Sequence, residues 1–150
     1  GMGCSIAARL AGSERNIFVM IGDGEIQEGS IWEAAMAAKH HELGNLKVIL
    51  DRNRIQNDDF CETQLRMFDI PAKWRSFGWD VMEIDGHNTE EVVKGLDFLI
   101  SNNDNPAILI ANTIKGKGVS YMEDNPAFHG AAPNDEQFRV AMEELGEVLA

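Results

Sequence analysis

A doubly wound α/β fold, with a mostly parallel sheet and helices on both faces, is what this sequence predicts, and three observations predict it. Short runs of branched apolar residues recur at 17–21, 46–50, 79–84 and 106–111, each bounded by polar, glycine or proline signals. Segments with apolar residues at helical spacing separate these runs, so strand and helix alternate. Finally, a 150-residue chain with 44% hydrophobic residues has the size and composition of one ordinary globular domain, so 1–150 is expected to form a single unit.

The elements follow in order. Gly1 to Leu10 has the pattern of the second half of a helix, stopped at Gly12, and nothing precedes it to start that helix, so the chain reads as truncated at its N-terminus. Ile17-Phe18-Val19-Met20-Ile21 is the first strand. Ile31, Ala34, Ala35 and Ala38 mark a helix, with Gly44 placed to cap its C-terminus, and Leu46 to Leu50 is the second strand. Asn57 to Thr63 is polar and expected as loop; a short helix starts near Asp69, with Trp74 and Phe77 inward and Gly78 closing it. Trp79 to Ile84 alternates as a third strand. Asn88 with Glu91 resembles a capping box, before a helix face of Val92, Val93, Leu96 and Ile100. Pro106 to Ala111 is the fourth strand, and the last helix begins near Asn134, with Gln137 as capping partner and Phe138, Ala141, Met142 and Leu145 expected inside.

The first crossover carries the chemistry. A strand, helix, strand unit is right-handed and lays its two strands parallel. Asp23 in Gly22-Asp23-Gly24-Glu25 and Asn53 in Asp51-Arg52-Asn53-Arg54-Ile55-Gln56 then both project at the carboxyl edge of the sheet, where open α/β folds bind ligands. A carboxylate, an amide oxygen and a nearby backbone carbonyl are hard ligands suited to Mg²⁺, which fills its remaining positions with water and phosphate oxygens. Gly22 and Gly24 let the backbone approach an anion. Alone, Gly-Asp-Gly is more often a simple strand-to-helix turn; the asparagine one crossover later points instead to a divalent-metal-bridged diphosphate site.

Charge narrows the partners. With 13 basic against 25 acidic residues the formal charge is -12, which argues against nucleic acid or an anionic membrane. A diphosphate therefore needs a metal ion and local cations. Lys115-Gly116-Lys117-Gly118 follows the fourth strand at the same edge, and spacing alone does not choose between a phosphate contact and a solvent-exposed turn for its lysines. Glu28 needs no more explanation than the dipole of the helix it starts, and His40, His41 and His87 are given no role. Cys4 and Cys61 are far apart and form no metal-ligand pattern; both read as reduced thiols of a cytoplasmic protein. No stretch is long and apolar enough to span a membrane.

Gly22 to Gly29, Trp32-Glu33-Ala34, Gly44-Asn45-Leu46 and Asp51 to Gln56 together resemble the transketolase family. The resemblance extends from Leu10 to Asp135 and implies thiamine diphosphate and Mg²⁺ (or Ca²⁺ or Mn²⁺) as cofactors. It implies Asp23, Asn53 and the Ile55 carbonyl as metal ligands, with Gly22, Gly24, Glu25 and Lys115 as further cofactor contacts. His129, in Phe128-His129-Gly130, takes the place of a histidine that reaches both diphosphate and sugar, although Phe128 stands where tryptophan is usual. Glu28 and Glu33 match acids of the dimer interface. The activity implied is transfer of a two-carbon ketol unit between sugar phosphates. It needs a pyrimidine-binding domain or C-terminal subunit that this sequence lacks, in a homodimer or heterotetramer. A deoxyxylulose phosphate synthase, the α subunit of a 2-oxo acid dehydrogenase, and a non-catalytic homologue are the alternatives.

Overall fold

The computed structural model describes residues 1–57, 59–101 and 103–148; Asp58 of the expected polar loop, and the last two residues of the expected 1–150 unit, lie outside them. Four parallel strands, β1 (Ile17–Gly22), β2 (Leu46–Arg52), β3 (Asp80–Asp85) and β4 (Ala107–Asn112), form one sheet in the order β1-β2-β4-β3. Helices cover both faces, as the alternation predicts. Ile21, Val48, Leu50, Ile108 and Ile110 turn one way, into the larger core with α1 (Met2–Leu10), α2 (Gly29–His40) and α4 (Ile70–Ser76). Ile84, Ala107 and Leu109 turn the other way, under α5 (Thr89–Ser101). On that second face β1 presents Phe18 and Met20, respectively 47% and 70% exposed.

Helix ends follow recognisable chemistry. Gly12 has φ 65; its N–H donates to Arg9 O, and that of Ser13 to Ala8 O, which together close α1. The same two-bond motif ends α2, but Glu42 rather than a glycine adopts the left-handed conformation, at φ 52, with Leu43 N–H reaching back to Ala38 O. Gly44 is thus not the C-cap. Its requirement is a close approach, since a Cβ there would lie 1.8 Å from the Asn103 carbonyl oxygen. Asp69 caps α4 by accepting from Ala72 N–H at 2.9 Å, Trp74 is buried, and Gly78 takes φ 82 beyond the helix.

Four expectations need correction. A short helix, α3 (Cys61–Gln64), forms within the stretch expected as loop. Only half of the capping box at α5 is made: Asn88 Oδ1 accepts the N–H groups of Glu90 and Glu91, while Glu91 Oε2 is taken by Asp85 N–H. The inward face of α5 carries Gly95 and Leu99 with Val92 and Phe98 packed beside them, whereas Val93 and Ile100 of the expected face are about half exposed. In the last helix, α6 (Asp135–Val148), the Asn134–Gln137 box is complete, with both bonds at 2.9 Å. Yet Phe138 and Met142 of α6 are 57% and 54% exposed and, among the described residues of α6, only Ala141 is buried; α6 packs on the loop after β4, where Tyr121 Oη donates to Gln137 O.

Candidate cofactor and metal site

β1 runs to Gly22 and β2 to Arg52, each further than its apolar run, so Asp23 and Asn53 are the first residues beyond the two strands. The pairing of Gly22 with Asp51 places them at adjacent strand tips. Both line one cavity with Gly22, Gly24, Glu25, Gln27, Glu28, Ile55, Gln56, Asn57 and His129. Nearly all of the predicted diphosphate site therefore comes together. The exceptions are Lys115, which lines the neighbouring cavity together with Asn53, Asp51 and Thr113, and Glu33, exposed on α2 outside both.

Asp23 is 4% exposed. Arg54 N–H donates to its Oδ2 at 2.6 Å and the Cys61 thiol to its Oδ1 at 3.3 Å. Burial nevertheless pushes its carboxyl above the ordinary value, and the neighbouring Asp51 pushes the same way, outweighing both hydrogen bonds. An ionised Asp23 here calls for a cation.

The loop after β2 is built to bring these donors in. Arg54 takes φ 67, and Ile55 then pairs antiparallel with Phe60. Gln56 N–H donates to Asp59 O and Cys61 N–H to Arg54 O, the two bonds flanking the Ile55–Phe60 pair. That pattern turns the Ile55 carbonyl away from its partner strand and leaves it for a ligand. The same hairpin drops Cys61 beneath Asp23.

Glycine at 24 answers to proximity, not to backbone sign: a Cβ there would lie 2.9 Å from that of Gln56. The Gln56 Oε1 is buried with no hydrogen-bond partner among the described residues, and Gln56 lines the cavity. Glu25 turns its carboxylate back to Gly22 N–H at 2.7 Å and so braces the loop. His129 is exposed at the cavity rim, one residue past Phe128, whose ring packs on Tyr121 at 5.2 Å. Lys117 pairs with Glu123, leaving half-buried Lys115 as the lysine that faces a cavity.

These residues fit a magnesium diphosphate. Among the described residues no cluster of three His, Cys, Asp or Glu side chains could hold a metal; the donors offered here are one carboxylate, one amide and one carbonyl. An ion held by so few protein oxygens keeps positions for phosphate. Sequence reading passed over Gln56, Cys61, Asp51 and Thr113, and also His87, whose Nε2 accepts from Ile114 N–H at 2.8 Å beside Lys115. None of these carries a local signal; each acts through a partner distant in the chain or across a turn.

Buried beside a carboxylate, the Cys61 thiol has its pKa pushed up to about 12. At about pH 8 a thiol reagent is therefore expected to modify Cys4, which is exposed, in the native chain, and Cys61 only after denaturation. Two fast-reacting thiols in the native protein would contradict this.

Parallel strands carrying an acid and an amide at neighbouring tips, above a glycine cradle, define a diphosphate-binding α/β domain. Comparison with known proteins makes this specific. The family described as "Transketolase, thiamine diphosphate binding domain" matches residues 9–148, and the chain belongs to the transketolase family. An apulose-4-phosphate transketolase subunit of Phocaeicola vulgatus is 40% identical over 147 residues, 98% of this chain and 52% of its own. The 6-deoxy-6-sulfo-D-fructose transketolase subunit SqwG of a Clostridium species is 38% identical over 144 residues, 96% of this chain and 52% of its own. The crystal structure of transketolase from Campylobacter jejuni matches with a TM-score of 0.90 at 29% identity, over 97% of this chain and 24% of that one. The chain thus spans about half the length of the curated relatives it matches. No helix among the described residues is long and apolar enough to cross a membrane.

Proposed function

We propose that this chain, as one domain, supplies the diphosphate- and metal-binding half of a cytoplasmic transketolase that transfers a two-carbon ketol unit from a ketose phosphate to an aldose phosphate. The observation that carries this is the meeting of Asp23, Asn53, Ile55 and His129 around one cavity at the carboxyl edge of the sheet. Asp23, Asn53 and the Ile55 carbonyl would hold Mg²⁺, and the ion would join them to the diphosphate. Gly22, Gly24 and Glu25 shape the loop beneath that group, and Lys115 adds a positive charge from the β4 side. When bound, thiamine diphosphate supplies the carbon nucleophile and electron sink that breaking a ketose C–C bond requires.

His129, exposed at the rim of the cavity, would hold or move a proton at a sugar oxygen. Glu28 borders the cavity and Glu33 is exposed on α2, and the family resemblance assigns both to a subunit interface. The names of the two half-length relatives specify a ketose phosphate and a sulfonated ketose, from which we carry over only an anionic ketose as substrate class. The partner is a pyrimidine-binding domain or subunit, in a homodimer or heterotetramer, and the chain is inactive without it.

Titrating thiamine diphosphate into the protein with and without Mg²⁺ is the direct test. Metal-dependent binding is expected, and metal-independent or absent binding refutes the site. Assays with sugar phosphates and with pyruvate as donors then separate ketol transfer from the other thiamine-dependent reactions. Ketol transfer by the purified chain with no partner would refute its dependence on one.

A further inference from the structure

We propose that Asp51, anchored by Thr113, is the positioning residue that makes Asn53 a metal ligand. This rests on the Mg²⁺ reading of the site given above.

An asparagine amide offers an oxygen on one side and a nitrogen on the other, and only the oxygen binds a hard cation. A flip of about 180° would replace a ligand by a donor that repels the ion. Something must therefore choose the orientation. Asn53 Nδ2 donates to Asp51 Oδ2 at 3.0 Å, and Asn53 Oδ1 accepts from Ile55 N–H at 3.0 Å. A carboxylate can only accept and a backbone N–H can only donate, so both partners impose the same orientation. Flipping the amide would lose both bonds and set two acceptors, and two donors, face to face. The Ile55 bond occupies one lone pair of Oδ1 and leaves the second for an ion.

Asp51 is itself fixed. Its other oxygen, Oδ1, accepts from the Thr113 hydroxyl, one residue past the end of β4. The pairing of Asp51 with Ala111 places β4 beside it, so the loop after β4 reaches across the strand tips to hold the acid. The chain Thr113, Asp51, Asn53 thus runs from one sheet strand to the next and ends at the cavity that Asp23 shares. Asp51 lines the adjacent cavity and not that of Asp23, so its role is to orient a ligand and not to be one.

The test uses the full protein, with its partner subunit where it has one, and reads the Mg²⁺ concentration at which thiamine diphosphate is half bound. Asp51→Asn keeps the shape and removes the charge; Asp51→Glu keeps the charge and moves the oxygens. Both are expected to raise the Mg²⁺ requirement about ten- to a hundredfold, the usual scale for a group behind a metal ligand. Metal-free thermal midpoints should stay near wild type. Thr113→Val should show part of the same loss, and Thr113→Ser, which keeps the hydroxyl, should restore it.

A wild-type Mg²⁺ requirement in Asp51→Asn overturns the proposal, as does one in Asp51→Glu, which would mean that Asp51 acts by charge alone. A fall in thermal midpoint with an unchanged Mg²⁺ requirement also overturns it, because a merely structural role predicts that. If wild-type protein itself shows no Mg²⁺-dependent binding, the underlying site reading has failed instead, and the control distinguishes the two.

Discussion

Asp23→Asn is expected to abolish Mg²⁺-dependent binding of thiamine diphosphate while leaving the metal-free fold as stable as wild type or more so. Both halves come from the same fact. Asp23 is 4% exposed, and its two hydrogen bonds, from Arg54 N–H and the Cys61 thiol, do not offset the loss of water around an ionised carboxylate. In the proposed site, binding of a metal ion would repay that cost. Asparagine keeps an oxygen for Arg54 N–H and gives up the charge, so affinity for Mg²⁺ should fall on the order of a hundredfold or more, as loss of a charged inner ligand does.

The pH dependence has a defined sign. The carboxyl of Asp23 is raised above its ordinary 3.8 in the metal-free folded state. Between that value and the raised one, the folded protein holds a proton that the unfolded chain has released. Stability contributed by Asp23 is therefore greatest on the acid side and declines as pH rises through the window. Denaturant titrations of metal-free protein between about pH 4 and 7 should show wild type losing stability relative to Asp23→Asn as pH increases. Saturating Mg²⁺ with thiamine diphosphate should reverse the order at neutral pH. Parallel profiles in both conditions would show that this carboxylate does not meet an ion.

Strand ends explain why so much of the site was legible in the sequence. The crossover through α2 makes the two flanking runs parallel, and once they pair as neighbours Asp23 and Asn53 stand at adjacent tips. Their contribution is local to each strand and its turn. Cys61 and Thr113 differ in kind: one reaches Asp23 through a hairpin that Arg54 opens with φ 67, and the other reaches Asp51 from the loop after β4. Neither apolar period nor turn chemistry encodes such contacts, which depend on the sheet order β1-β2-β4-β3. Phe138 and Met142 fail for the opposite reason. Their helical spacing marks an apolar face correctly, but spacing does not say whether the chain itself covers that face, and here it leaves both more than half exposed.

Gly44→Ala is expected to be among the most destabilising single-methyl additions in the chain, at about 3 kcal/mol. Its new Cβ would lie 1.8 Å from the Asn103 carbonyl oxygen and 2.6 Å from the carbonyl carbon. Backbone, unlike a flexible side-chain tip, cannot swing aside. Displacing Gly44 itself is also blocked, because Lys47, fully buried, donates from Nζ to the Gly44 carbonyl at 2.6 Å, and β2 begins two residues on, at Leu46. A shift there would disturb a desolvated ammonium whose pKa burial already lowers. At roughly 3 °C per kcal/mol for a chain of this size, the thermal midpoint should drop by about 9 °C. Gly3→Ala is the control: that position lies in α1 with nothing within 4 Å of an added Cβ, so helix propensity should make it neutral or slightly stabilising. Equal midpoints for the two variants would mean that Gly44 is not in contact with the segment before β4, and would remove the steric reason for glycine at the Gly44-Asn45-Leu46 junction.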